Sequence, residues 1–122
     1  MAYDEQNIFA KILRGEIPCD KVYENDHALA FRDIAPQAPV HVLVIPKGPF
    51  VSYVEFTEQA SDAELAGFMR AVGAVAAELG IAKAGSRILS NQGGDGNQEV
   101  PHFHLHVFAG KNLGRMIKPI GK

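Results

Sequence analysis

The sequence predicts an α+β fold, in which an antiparallel sheet carries helices on one face. Residues 61–80 have the period of a long amphipathic helix, and short segments typical of strands lie on both sides of it. The chain has 122 residues, of which 47% are hydrophobic, so a substantial core can form. We therefore expect residues 1–122 to form a single domain.

The first predicted element is a short helix that Asn7 begins and Gly15 ends. A first strand near Lys21–Glu24 and a second over residues 27–33 form a hairpin, with its turn at residues 25–26. After a bend with two prolines, Val40–Pro46 is almost entirely apolar, which is typical of a central strand. His41 is the one polar side chain of that strand.

The second half of the chain predicts a long helix followed by a hairpin. Residues 48–59 are expected to form mainly a loop. Ser61 and Glu64 make a capping box that begins the long helix, and Gly80 ends it. Strands over residues 86–92 and 102–108 then flank a glycine-rich loop, and a basic, loop-like tail follows.

Composition excludes several classes of protein. The net charge is −2 and the isoelectric point is near 6.2, so the strongly basic surface that binds duplex nucleic acid is absent. Cys19 is the single cysteine, so no intramolecular disulfide can form. We find neither a signal peptide nor an apolar run long enough to span a membrane, and we expect a cytoplasmic protein.

Three of the five histidines alternate in the segment PHFHLHVF. Because successive side chains of a strand point to opposite faces, His102, His104 and His106 share one face. The residues between them are apolar, which predicts that they pack on the core and that the histidine face is the open side of the sheet. The alternation itself allows a metal site completed by His41, a catalytic site, or surface histidines without a task. The adjacent glycine loop favours a phosphate-containing ligand, because its backbone N–H groups can approach an anion closely.

Four segments resemble one known family. The segment HFHLHVF resembles the signature of the histidine triad (HIT) family. The segments NIFAKILRGEIP, FRDIAPQAPVHVLVIPK and SNQGGDGNQEVPH are similar to corresponding segments of its Hint branch. Their order and spacing are preserved over nearly the whole chain.

The resemblance implies a HIT-like fold, a five-stranded antiparallel sheet with two helices per subunit. It also implies a homodimer with a ten-stranded sheet. The implied activity is hydrolysis of the P–N bond of purine nucleoside 5′-phosphoramidates of the AMP or GMP type, without a metal or other cofactor. Two alternatives stay open, a dinucleoside polyphosphate hydrolase of the Fhit branch and a nucleotide-binding interaction module with weak catalysis.

The resemblance also implies roles for individual residues. His104 would be the nucleophile that becomes nucleotidylated, His106 would bind the phosphate, and His102 with His41 would orient His104 through a hydrogen-bond relay. The implied nucleotide-binding residues are Ile8, Phe9, Ile12, Phe31 and Ile34 around the base, Asp33 and Arg32 near the ribose, and Asn91, Glu99 and Val100 near the phosphate.

Two positions depart from the family pattern. Glu99 stands where several members have serine, and Pro101 stands where an aromatic residue is common. Both precede the first triad histidine, so the preferred leaving amine stays open.

Overall fold

A computed structural model, described for residues 2–117, contains one five-stranded antiparallel sheet in the order β1-β2-β3-β5-β4. The sheet and the capped helices confirm the predicted fold class. The end of the predicted basic tail lies outside the described residues. The elements are α1 (Ile8–Leu13), β1 (Lys21–Glu24), β2 (Ala28–Arg32), β3 (Val40–Pro46), α2 (Tyr53–Gln59), α3 (Asp62–Leu79), β4 (Arg87–Leu89) and β5 (Leu105–Ala109).

The helix ends follow the capping signals of the sequence. The side-chain oxygen of Asn7 accepts a hydrogen bond from the backbone N–H of Ala10 at 2.9 Å. Ser61 and Glu64 form the complete reciprocal capping box of α3. Gly80 ends α3 with φ of 67°, a left-handed conformation that costs a glycine little.

Helices cover both faces of the sheet, so the prediction of helices on one face is wrong. The α3 helix packs with β1, β2 and β3 over the larger core cluster, which includes Phe68 and Val75. On the opposite face, Phe9 of α1 packs with Phe31 and Leu43 in a second cluster. The apolar stripe of α1 requires burial, and the histidine face of the sheet provides the surface for it.

Two further segments differ from the sequence prediction. Residues 53–59 form the helix α2, whose Phe56 is buried, where a loop was expected. The strand β5 begins only at Leu105, because the backbone N–H of His102 bonds to Val100 and that of Phe103 bonds to Phe50 instead of to a neighbouring strand. Within residues 2–117, no helix has the length and apolar character needed to cross a membrane.

Two glycines of α3 give a matched test of the packing between α3 and the β1–β2 turn. A Cβ on Gly67 would lie 2.5 Å from the ring of His27 and 2.8 Å from its Cβ, whereas a Cβ on Gly73 would meet nothing within 4 Å. We expect Gly67→Ala to lower the free energy of unfolding by about 1–3 kcal/mol through overpacking. Gly73→Ala should raise it by about 0.5–1 kcal/mol, because alanine favours the helix.

Urea denaturation of the two variants and the parent chain measures both effects. Equal stability of the two variants would contradict the close packing of α3 on His27.

Candidate functional site

The histidine face of the sheet borders a pocket of about 430 Å³, between the end of β2, the start of β5 and the loop that follows β4. Seven residues expected at a nucleotide site line it, together with four others. The lining residues are Phe9, Asp33, Ala35, Gln37, Leu43, Asn91, Asn97, Glu99, Val100, His104 and His106.

The histidine face is buried, so the prediction that it is the open side of the sheet is wrong. The residues His41, His102 and His104 are only 3%, 0% and 6% exposed. The cause is α1, whose Phe9 ring stands edge-on to the His104 ring with centroids 4.9 Å apart. The predicted division of faces is nevertheless correct, because Phe103, Leu105 and Val107 lie in the opposite cluster, whereas Phe108 stacks on His106.

His104 is held in one tautomer by the main chain. Its Nδ1 lies 2.7 Å from the carbonyl oxygen of His102, which can only accept a hydrogen bond. Nδ1 therefore carries the proton, and Nε2 keeps a free lone pair. The hydroxyl of Ser90 donates to the carbonyl oxygen of His104 at 2.7 Å, which fixes the backbone just before β5 begins.

His106 is held in the opposite tautomer by a chain of hydrogen bonds. The backbone N–H of Gln37 donates to Nδ1 of His41 at 3.1 Å, so the proton of neutral His41 is on Nε2. This Nε2 lies 2.9 Å from Nδ1 of His106 and donates to it. His106 therefore presents an N–H donor at Nε2, while His104 presents a lone pair.

The prediction that His41 and His102 together orient the ring of His104 through a hydrogen-bond relay is therefore wrong for His41. His41 bonds to His106, and His102 acts on His104 through its carbonyl oxygen. The ring of His102 points elsewhere, because its Nε2 donates to the carbonyl of Pro46 at 2.9 Å and its Nδ1 accepts from the hydroxyl of Tyr3 at 2.5 Å. Nothing in the sequence pattern singles out Tyr3.

Burial keeps these histidines uncharged near neutral pH. It lowers the pKa of His102 to about 4, and burial with the neighbouring His104 lowers that of His106 to about 4. Burial also lowers the pKa of His104 and the pKa of His41, opposed by the hydrogen bond to the His102 carbonyl in the first case and by Asp33 in the second. The neutral rings match the hydrogen-bond directions given above.

Asp33 lies at the end of β2, beside His41. One of its carboxylate oxygens accepts from the backbone N–H of Ala35 at 2.8 Å, and the other is 3.5 Å from Nε2 of His41. Within residues 2–117, Asp33, His41 and His106 form the single group of potential metal ligands whose atoms lie within 4.8 Å of one another. Nε2 of His41 and Nδ1 of His106 already share the hydrogen bond that fixes the tautomer of His106.

Five residues expected around the nucleotide do not line the pocket. Phe31 lies in the core and supports Phe9, with ring centroids 5.7 Å apart. Ile12 lines a separate groove near Cys19, and Arg32 is exposed near Asp20. The remaining two, Ile8 and Ile34, are 41% and 95% exposed.

Sequence reasoning missed four residues that line the pocket. Asn97 has φ of 55°, a left-handed conformation within the glycine-rich loop. An asparagine next to glycine is a known signal for that conformation, so this position could have been found. The other three are brought to the pocket by the tertiary path of the chain around the site. They are Ala35, Gln37 and Leu43.

Comparison with known proteins gives a consistent result. Residues 14–113 match the model of the HIT domain. An uncharacterized 13.2 kDa HIT-like protein of Azospirillum brasilense is 64% identical over 94% of both chains. The purine nucleoside phosphoramidase of Escherichia coli K12 is 41% identical over 93% of this chain and 94% of its own.

Solved structures agree with the sequence relatives. A histidine triad protein from Clostridium difficile superposes with a TM-score of 0.82 at 39% identity, covering 95% of this chain and all of its own. A HIT family hydrolase from Clostridium thermocellum also has a TM-score of 0.82, at 35% identity, and covers 94% of this chain and 99% of its own. The domain match, the sequence identity and the shared fold together show that the chain belongs to the HIT family.

Proposed function

We propose that this protein hydrolyses the P–N bond of purine nucleoside 5′-phosphoramidates through a nucleotidyl intermediate on His104. One observation carries the proposal: His104 and His106 line the same pocket in opposite tautomers, one with a free lone pair and one with a free N–H. A nucleophile beside a hydrogen-bond donor suits phosphoryl transfer, because negative charge develops on the phosphate oxygens. The phosphoramidase name of the Escherichia coli relative supports this substrate class.

The reaction proceeds in two displacements. The lone pair on Nε2 of His104 attacks the α-phosphorus, the P–N bond breaks, and the leaving nitrogen takes up a proton and departs as an amine. Water then attacks the phosphorus, the bond to His104 breaks, and the nucleoside monophosphate leaves. The proton that the water gives up balances the proton that the amine takes.

The surrounding residues have distinct roles in this scheme. The N–H of His106 donates to a phosphate oxygen, and Asn91, which lines the same pocket, offers its side-chain amide to the phosphate. Asp33 accepts hydrogen bonds from the ribose hydroxyls, and Phe9 flanks the base. His41 is a positioning residue, because it acts on the substrate only through His106.

Replacement of the nucleophile tests the covalent step. We expect His104→Asn to lower the turnover of an adenosine phosphoramidate by about a thousandfold or more, since no other side chain replaces Nε2. Binding of AMP should survive. Wild-type protein quenched with denaturant at alkaline pH should carry a nucleotidyl adduct on His104 in mass spectrometry, because the P–N bond to histidine hydrolyses in acid.

His27→Asn is the matched control, because His27 lies outside the pocket, against Gly67. Undiminished turnover by His104→Asn, or an adduct on another residue, would overturn the assignment.

The pH dependence tests the protonation state of the nucleophile. His104 must be neutral to attack, and burial lowers its pKa from the ordinary value of 6.5, so the neutral form persists into more acidic solution. We expect kcat/KM to fall in acid along a limb centred below pH 6.5, because kcat/KM reports the pKa of the free enzyme.

The background rate is taken from His104→Asn at each pH. An acid limb centred above pH 6.5 would show that the environment raises the pKa of His104 and would contradict the account.

Metal removal separates hydrogen bonding from metal catalysis. The proposed role of His106 requires its Nδ1 to accept from His41, which a shared ion would prevent. We expect full activity after treatment with EDTA and removal of the chelate. Loss of activity that zinc restores would instead favour a metal centre at Asp33, His41 and His106.

A substrate comparison separates the two hydrolase classes. An adenosine phosphoramidate should be cleaved with higher kcat/KM than a diadenosine polyphosphate. The reverse order would assign the protein to dinucleoside polyphosphate hydrolysis by the same histidines.

A further inference from the structure

A second pocket, here called the acidic pocket, adjoins the histidine pocket. It has a volume of about 430 Å³ and lies between the start of α2 and the loop of residues 92–101. Glu99 lines both pockets, so this residue lies between them. Its walls include Ser52, Glu55, Gln98 and Pro101.

The acidic pocket carries negative charge without a compensating cation. Glu55 and Glu99 are its charged lining residues, and neither lysine nor arginine is among the residues that line it. None of the ion pairs found within residues 2–117 involves either carboxylate. Oε1 of Glu55 receives one long hydrogen bond, 3.3 Å from the backbone N–H of Val51.

Ser52 is a largely buried residue whose hydroxyl has no hydrogen-bond partner within residues 2–117 and is not sealed from solvent. The residue is 6% exposed and lines the acidic pocket. It occupies the N-cap of α2, where a serine hydroxyl commonly accepts a backbone N–H, yet its hydroxyl makes no such bond. In the part of the chain that the structure describes, no other hydrogen bond of this hydroxyl is found, so it is available to a ligand.

The shape of the acidic pocket is fixed by Gln98. Its side-chain amide donates to the carbonyl of Val51 at 2.6 Å and to that of Val100 at 3.0 Å. These bonds tie the start of α2 to the segment that leads to the histidines. The main chain next to Ser52 and next to Glu99 is therefore held in place before any ligand binds.

We infer that the acidic pocket binds the leaving amine and selects amines that carry a second, cationic group. The inference rests on the proposed phosphoramidate hydrolysis, in which the amine departs from the phosphorus beside His104. An ammonium group at the far end of the amine would face Glu55 and Glu99 and could donate to the hydroxyl of Ser52. The substrate class is thus a nucleoside phosphoramidate of a diamine or of another basic amine.

Three adenosine phosphoramidates of similar length test this selectivity: those of diaminobutane, pentylamine and aminopentanoate, which end in an ammonium, a methyl and a carboxylate group. For the wild-type protein we expect kcat/KM to be about tenfold higher for the diaminobutane conjugate than for the pentylamine conjugate. The aminopentanoate conjugate should be the poorest of the three. The preference should shrink when ionic strength rises from about 0.02 M to about 0.5 M, because salt screens exposed carboxylates.

Removal of the negative charges of the acidic pocket tests whether they cause the selectivity. Glu55→Gln should reduce the ratio of kcat/KM for the ammonium and methyl conjugates to about threefold, and the double variant with Glu99→Gln should bring it near one. Glu58→Gln is the matched control, because Glu58 is an exposed carboxylate of α2 outside the acidic pocket, and it should keep the wild-type ratio.

Equal kcat/KM for the ammonium and methyl conjugates, or a ratio that the double variant leaves unchanged, would overturn the inference and leave the proposed function standing. Failure of the wild-type protein to cleave any of the three conjugates would refute the proposed function, and the inference with it.

Discussion

The hydrogen bond between the His104 ring and the carbonyl oxygen of His102 decides which nitrogen of His104 can react. At 2.7 Å from a pure acceptor, Nδ1 must hold the proton, so Nε2 keeps its lone pair. The His102 carbonyl can accept this bond because the chain has not yet entered β5. The ring of His102, bonded to Pro46 and Tyr3, holds that part of the main chain in place.

Burial supplies the second constraint. The α1 helix covers the histidine face with Phe9, so the rings lie in a poorly solvated environment that disfavours their charged forms. A neutral His41 can donate to His106 only from Nε2, and His106 then offers its own Nε2 proton. Hydrogen bonding thus selects the tautomer of each ring, desolvation keeps the rings uncharged, and the site is organised before substrate arrives.

Local sequence signals predicted the fold well, and long-range packing explains what they missed. Capping residues such as Asn7 and Ser61, and the apolar run of β3, act through near neighbours, so their elements could be predicted. The burial of the histidine face depends on the packing of α1 across the sheet. The hydrophobic periodicity of a single segment does not reveal such a long-range contact. The alternation of the histidines showed that His104 and His106 share one face of the strand. The hydrogen-bond partner of His41 depends instead on the β3–β5 pairing, in which His41 lies opposite Phe108.

The tautomers of the four buried or partly buried histidines are the most direct test of this account. Two-dimensional ¹⁵N–¹H correlation of the imidazole rings near pH 7.5 reports which nitrogen of each histidine carries the proton. The account predicts a proton on Nδ1 and a bare Nε2 for His104, and protons on Nε2 for His41, His102 and His106. A proton on Nε2 of His104, or a charged ring at that pH, would contradict it.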